Sequence, residues 1–377
     1  MLKVLHISKY YSPYIGGIEQ VARDCVNSLK DKYEQKVICF NHEKGNSIDK
    51  VDDVEIIRVG CFAKISSQSI SFSYGKQLTK VINDFKPNIV IFHYPNPFVA
   101  HYLLKFKTKK NFKVLTYWHL DITKQKILGK LFHGQNKRLI SMSDHILGAT
   151  PIHINGSKYY SYFKQKAIVL PYALDENRLI ISNEEKNFAL KIRKDNEGKI
   201  IGFFIGRHVP YKGLEYLIRA SALLDDRFIF YIAGNGPLTD ELKSLAKNDK
   251  KIVFVGKIPD DKWRSYLYAC DIFCFPSITK NECFGLALAE AMYYGKPSIT
   301  FKINNSGVNY VNLKDITGFE CENCNYEEYA NSLKILAEDS ALRSSMGIAA
   351  KKRVMDKFTF NKFKLNLISL LDEIIGG

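Results

Sequence analysis

Short apolar runs alternate with amphipathic segments along nearly the whole of this chain, and that alternation leaves few folds open. In the first half the strand-like runs are 3–8, 35–40, 55–59, 88–94, 113–119, 145–150 and 167–171; in the second they are 199–206, 228–234, 252–256, 271–276 and 297–301. Helical patterns fall between them at 18–31, 74–85, 211–224, 238–248, 261–269, 284–294 and 326–337. Runs that are apolar throughout and joined through helices predict parallel sheets covered on both faces. A chain of 377 residues is too long for one ordinary core, so the two arrays predict two Rossmann-like α/β domains. The boundary is expected near Pro171-Tyr172-Ala173-Leu174-Asp175, with a polar, charge-rich stretch at 182–198 as a separator. The expected domains are 1–171 and 172–356. In the tail, 357–377, Phe358, Phe360, Phe363, Leu367, Leu370 and Leu371 recur near helical spacing and predict a helix whose apolar face must dock. No internal repeat is visible.

Charge separates the two halves. Residues 1–171 hold 26 Lys and Arg against 12 Asp and Glu, whereas the remainder holds 29 against 27, so almost all of the net +16 lies in the first half. A basic domain attracts nucleic acid, an anionic membrane or a phosphorylated acceptor. No helix-turn-helix, zinc-finger or aromatic ribonucleoprotein motif accompanies the charge, which disfavours nucleic acid. No run of about 18 apolar residues predicts a membrane-spanning helix. The opening Met1–Ile7 reads as a first strand, because no small-residue cleavage site follows it, and an intracellular protein is expected. Cys25, Cys39, Cys270 and Cys274 sit inside strand or helix patterns. Cys321 and Cys324 form a single Cys-x-x-Cys without a second ligand pair, so a reduced structural pair is expected rather than zinc.

The residues that carry chemistry follow predicted strand ends. Asp271–Ser277 leads into a polar loop holding Glu282; Phe284-Gly285 follows, and then a helix carrying Glu290. Two carboxylates thus flank a helix N-terminus whose free N–H groups favour anions. One acid suits sugar hydroxyls, the other a ribose, and the amides suit phosphate, which together make a cradle for a nucleotide sugar. In Gly206-Arg207-His208-Val209-Pro210-Tyr211-Lys212-Gly213, Arg207 and Lys212 fall at the C-terminal edge of the second sheet, where open α/β folds bind ligands. Two cations there suit a departing nucleoside diphosphate.

Gly16-Gly17 follows the first strand and precedes a helix, so that backbone amides can approach a diphosphate; the pair is neither Gly-x-Gly-x-x-Gly nor a P-loop. His119 and Asp121 lie just past a strand end of the first domain, facing the expected cleft. His93, His101, His145 and His153 lack that context and are expected to be packing residues. Gly234 and Gly236 permit a tight turn beneath a base or ribose, although a structural loop explains them as well. The turn-rich 304–308 and 315–319 are expected to line the same cleft.

In family order and across nearly the whole chain, these pieces resemble the family-four retaining glycosyltransferases of the two-Rossmann-domain (GT-B) type. The matching residues are Gly16-Gly17-Ile18-Glu19, Trp118-His119-Leu120-Asp121-Ile122, Gly206-Arg207 with Tyr211-Lys212-Gly213, Gly234-Asn235-Gly236-Pro237-Leu238, and the Glu282/Glu290 motif. Trp-His-x-Asp-Ile followed by Lys124-Gln125-Lys126, together with Ser306–Asn312 and Thr317-Gly318, is similar to bacterial mannosyltransferases of surface-polysaccharide assembly. Two positions depart from the family pattern. Ala173 stands where the linker has glycine, and Cys283 stands where a small residue follows the first glutamate.

The resemblance implies two parallel sheets facing across a cleft and a C-terminal helix crossing back to the first domain. It places Glu282 on the hydroxyls of the transferred sugar, Glu290 on the ribose, and the amides of Phe284, Gly285 and Leu286 on sugar and phosphate. Arg207 and Lys212 would hold the diphosphate, with Gly16-Gly17 and Asp121 on the donor and His119 near the reacting carbon. It further implies GDP-mannose as donor, with a UDP-hexose or UDP-N-acetylhexosamine as the alternative, a lipid-linked saccharide acceptor, and a basic domain resting on the inner face of the plasma membrane. No Asp-x-Asp is present, so no metal and no resident cofactor are expected. A nucleotide-sugar epimerase and a non-catalytic binding subunit are the rivals from other classes.

Overall fold

The computed structural model describes residues 1–14, 16–65, 68–106, 111–122 and 132–376; Lys124-Gln125-Lys126 lies outside them. The described chain forms two compact units, Met1–Ala173 with the segment from Phe360 onward, and Leu174–Thr359. The first and last residues of the second unit, Leu174 and Thr359, pair through an isolated parallel bridge.

The first unit contains β1 (Lys3–Ile7), β2 (Glu34–Phe40), β3 (Ser47–Val51), β4 (Val54–Val59), a small β5–β6 hairpin (Ala63–Ile65, Gln68–Ile70), β7 (Ile89–Tyr94), β8 (Lys113–Trp118), β9 (His145–Gly148) and β10 (Ala167–Val169). Its main sheet runs β10-β9-β8-β7-β1-β2-β4-β3, parallel throughout except for β3. Every residue of β7 is buried, as a central strand covered on both faces requires. The edge strand β3 has four exposed residues, so its sequence carries no apolar run to announce it. It is joined to β4 through Asp52 and Asp53, both with positive φ (52° and 66°), the geometry of a two-residue primed turn.

The helix Phe360–Gly376 buries Phe363, Leu367, Leu370, Leu371 and Ile374 within the first unit. It packs along the helix Gly17–Leu29. Lys32 with Asp372 (2.5 Å) and Lys364 with Asp31 (2.7 Å) tie its ends down. The amphipathic tail therefore crosses back to the first domain.

The second unit contains β11 (Ile200–Ile205), β12 (Phe228–Ala233), β13 (Ile252–Gly256), β14 (Ile272–Phe275), β15 (Ser298–Phe301) and β16 (Gly318–Cys321). Their order is β13-β12-β11-β14-β15-β16, all parallel. This is the doubly wound order in which strand order reverses between the first and fourth strands, here β11 and β14.

Two expectations need correction in this unit. The polar stretch 182–198 is no spacer: Asn183–Asp195 is a helix, opened by a capping box in which Ser182 and Glu185 satisfy each other's backbone N–H groups. The segment 315–319 does not end as a loop, because Gly318 starts β16. A Cβ at Gly318 would stand 1.9 Å from the Ser298 carbonyl oxygen, so glycine is required for that edge strand to approach β15.

Candidate active site

In the second unit the strand order points to the C-terminal ends of β11 and β14, and two of the four charged residues expected in that region, Lys212 and Glu282, meet there. β11 runs into Gly206-Arg207, a short 3-10 turn at Pro210–Lys212, and Gly213. Gly213 has φ 61°, and a Cβ on it would lie 2.2 Å from the Pro276 carbonyl oxygen. The amide of Ile278 donates to the Tyr211 carbonyl at 2.9 Å. The loops after β11 and β14 are thus locked together backbone to backbone, and this brings Lys212 to Glu282.

The Lys212 ammonium and the Glu282 carboxylate form an ion pair with side-chain exposures of 10% and 14%. Lys212 Nζ also stands 4.8 Å from the centre of the Phe275 ring, a cation–π contact. Ser277 Oγ donates to Glu282 Oε2 at 3.3 Å, and Ser306 Oγ donates to the Glu282 carbonyl. Ser306, expected only as part of a turn-rich lining, therefore fixes the backbone that aims Glu282. Arg207 is exposed at the same rim.

Gly285, at φ 88°, precedes the helix Leu286–Tyr293, which has no side-chain cap, so its first backbone N–H groups lack a capping partner. Phe284 anchors the turn by an edge-on contact with Phe358, centroids 5.2 Å apart. Glu290 lies on that helix. Burial pushes its carboxyl pKa up, against the opposing charge of Arg178.

Gly234 and Gly236 are explained first by packing. A Cβ on Gly234 would meet the Gly206 carbonyl oxygen at 1.9 Å, and one on Gly236 would meet that of His208 at 2.3 Å. The loops after β11 and β12 touch through their backbones, and the glycines permit that contact.

In the first unit the strand order reverses between β1 and β7, and Gly16-Gly17 follows β1. Neither glycine is demanded by the fold. Gly16 is extended (φ −172°), and a Cβ there would displace only the tip of the Glu19 side chain. A Cβ at Gly17 would meet nothing among the described residues within 4 Å. Space left open at the first residue of a 13-residue helix suits the close approach of an anion.

The loop leading to these glycines is held by Arg58, which the sequence did not single out. Buried on β4, its guanidinium pairs with Asp49 through two hydrogen bonds (2.9 and 3.0 Å). It also donates to the carbonyls of Tyr11 (3.4 Å) and Ser12 (2.5 Å).

His119 and Asp121 do not stand open at a strand end, which corrects the expectation for both. Asp121 is turned inward. It accepts from Trp118 Nε1 (2.9 Å), Ser157 Oγ (2.8 Å) and the Lys158 amide (2.9 Å), a set that fixes the turn after β8. His119 is fully buried, with Nε2 3.0 Å from His93 Nδ1 and Nδ1 2.5 Å from Tyr172 Oη. Burial drives its pKa down to about 3. His93, expected to be mere packing, is thus a partner of His119. The β7–β8 register brings them together: His93 and Tyr117 are register partners, and side chains two residues apart share a face, so His119 lies on the same side. Cys321 and Cys324 are free thiols, and Cys321 Sγ lies 3.3 Å from Ser332 Oγ.

Comparison with known proteins agrees with this architecture. Residues 185–353 match the model for glycosyl transferases group 1, and residues 15–153 match that for glycosyltransferase family 4. The chain is 27% identical to the D-rhamnosyltransferase WbpZ of Pseudomonas aeruginosa, over 95% of this chain and 92% of that one. It is 24% identical to the O-antigen chain mannosyltransferase C of Escherichia coli, over 95% of both. Among solved structures, sucrose-phosphate synthase from Thermosynechococcus elongatus superposes with a TM-score of 0.82 over the full length of both chains, at 16% identity. WaaG, a glycosyltransferase involved in lipopolysaccharide biosynthesis, gives 0.72 at 14% identity, covering 99% of this chain and 100% of that one. With the two family models matched in order along one chain and the two α/β units of a GT-B fold, this protein belongs to the family-4, group-1 glycosyltransferases.

Proposed function

We propose that this enzyme transfers mannose, with retention of configuration, from GDP-mannose to a lipid-linked oligosaccharide of a bacterial surface polysaccharide. The observation that carries the proposal is the buried Lys212–Glu282 pair at the strand-order reversal of the second unit. A cation and a carboxylate held together there match the two ends of a breaking bond between sugar and diphosphate. Lys212, with exposed Arg207, takes the charge that grows on the departing diphosphate, while Glu282 accepts from hydroxyls of the sugar. The free amides after Gly285 complete the anion site, and Glu290 accepts from the ribose. The acceptor hydroxyl attacks from the face the diphosphate leaves, so neither glutamate serves as a covalent nucleophile. In this reading protein cations neutralise the leaving group, and neither a metal nor a resident cofactor takes part.

The mannosyl donor is supported by the similarity to the O-antigen chain mannosyltransferase. A second reading, D-rhamnose as the transferred sugar, is favoured by the similarity to the D-rhamnosyltransferase. The two sugars differ only at carbon 6, so one site geometry serves either. Initial rates with GDP-mannose, GDP-D-rhamnose and UDP-hexoses as donors decide the matter. Turnover confined to UDP sugars would overturn both readings.

The lipid-linked acceptor puts the enzyme at the cytoplasmic face of a membrane. No helix among the described residues is long and apolar enough to cross one. The net charge of the first 171 residues, 26 basic against 12 acidic, suits an anionic leaflet. Each cation near such a surface contributes about 1 kcal/mol, so a few suffice for reversible attachment. Flotation with vesicles should rise with their content of anionic lipid; indifference to lipid charge would sink this part of the proposal.

A further inference from the structure

A row of buried polar side chains crosses one face of the first sheet. Gln35 on β2 bonds to His6 Nε2 on β1 (2.8 Å); His93 on β7 bonds to His119 beyond β8, and His119 bonds to Tyr172. The His93 and His119 rings are nearly parallel, 6° apart with centroids at 5.3 Å. All three imidazoles are buried, and burial holds all three neutral: His6 is pushed down to about 4, His119 to about 3, and His93 well below its ordinary value. A neutral imidazole has one N–H and one lone pair, so a chain of them is polarised in one direction or the other.

The direction follows from Tyr172. A phenol is a far stronger acid than a neutral imidazole, so across the 2.5 Å contact Tyr172 Oη donates and His119 Nδ1 accepts. The His119 proton then sits on Nε2 and is donated to His93 Nδ1, which leaves the His93 proton on Nε2. That nitrogen is buried and has no hydrogen-bond partner among the described residues. Continued one step past the pairing of Ile7 with Phe92, the β1–β7 register sets Ser8 level with His93, and Ser8 Oγ is likewise buried and unpartnered.

We propose that Tyr172 is a positioning residue that fixes the tautomer of His119 and, through it, of His93, so that the relay ends in a His93 Nε2–H donor reserved for a neutral oxygen. Tyr172 belongs to the linker, two residues before the second unit begins at Leu174. The polarity of the relay is therefore set from the last residues of the first unit before the second begins. The functional consequence rests on the transferase reading above; the tautomers do not.

The test is a two-bond proton–nitrogen correlation spectrum of histidine-labelled full-length protein, with and without donor. The expected result is that His93 and His119 are both Nε2–H and do not titrate between pH 5.5 and 8. Tyr172→Phe should move His119 out of the pure Nε2–H form and His93 with it, while leaving the thermal midpoint within a few degrees. His93→Gln, whose amide oxygen still accepts from His119, should leave the His119 tautomer unchanged. A shift of the His93 Nε2 resonance on adding donor is the expected result and ties the reserved N–H to a substrate hydroxyl; no shift would overturn its part in substrate binding. An Nδ1–H form at either histidine in the wild type, or unchanged tautomers in Tyr172→Phe, would overturn the proposal. Failure of transfer with every donor would overturn the transferase reading alone, because the spectra need no turnover.

Discussion

Lys212 and Glu282 are each nearly out of water, so neither is replaced without consequence for the other. Removing one partner of a buried ion pair typically costs about 3–5 kcal/mol, chiefly from the charge left behind. Lys212→Met and Glu282→Gln should each lower stability by amounts of that order, and the double variant should cost clearly less than their sum. Denaturant unfolding of the four proteins checks this, and strict additivity would show that the two groups do not interact. Gly17 makes the opposite prediction. Since a Cβ there meets nothing, Gly17→Ala should leave stability unchanged or raise it by roughly 0.5 kcal/mol, while weakening donor binding at least tenfold. A variant with full activity would remove Gly17 from the site. Glu290 supplies a pH signature. Burial raises its pKa, so the group protonates at a higher pH than an ordinary glutamate. The carboxylate acceptor for the ribose is therefore lost as pH falls through that raised value, and donor affinity should fall with it. In Glu290→Gln this step should vanish. Calorimetric titration of the nucleotide across pH decides it, and an identical profile in wild type and variant would exclude the role.

At the level of elements, how legible the sequence was depended on where each residue buries its apolar surface. Central strands such as β7 and β14 carry continuous apolar runs, and the motif residues at their ends follow directly from that pattern. The helix Asn183–Asp195 was missed because its described buried residues are only Glu185, Ala189 and Ile192, too few for a visible stripe; its Ser182-x-x-Glu185 cap was the readable signal. Ser182→Ala should cost about 1 kcal/mol of stability and leave kcat untouched. A change in activity would mean that this helix does more than cover the sheet. β3 and β16 escaped because edge strands need no apolar run. Arg58 and His93 escaped for a different reason: what they do depends on partners 46 and 26 residues away, Ser12 and His119, which only the folded sheet brings close.

For the molecule as a whole, the segment after Thr359 is part of the first unit, not an appendage. Its buried Phe363, Leu367, Leu370, Leu371 and Ile374 cover the helix that begins at Gly17. Burying one such side chain contributes about 1.5–3 kcal/mol, so deleting residues 360–377 should unfold the first unit or drive it to aggregate. Proteolysis and circular dichroism of the truncated chain would show this; a soluble, folded product would contradict it. The central claim concerns what the paired Lys212 and Glu282 are for. It is tested most directly by single-turnover transfer from GDP-mannose to a lipid-linked acceptor, comparing the wild type with Lys212→Met and Glu282→Gln at saturating donor. The account predicts transfer by the wild type and losses of at least a hundredfold in each variant, with the anomeric configuration retained in the product. Full activity in either variant, or an inverted product, would contradict it.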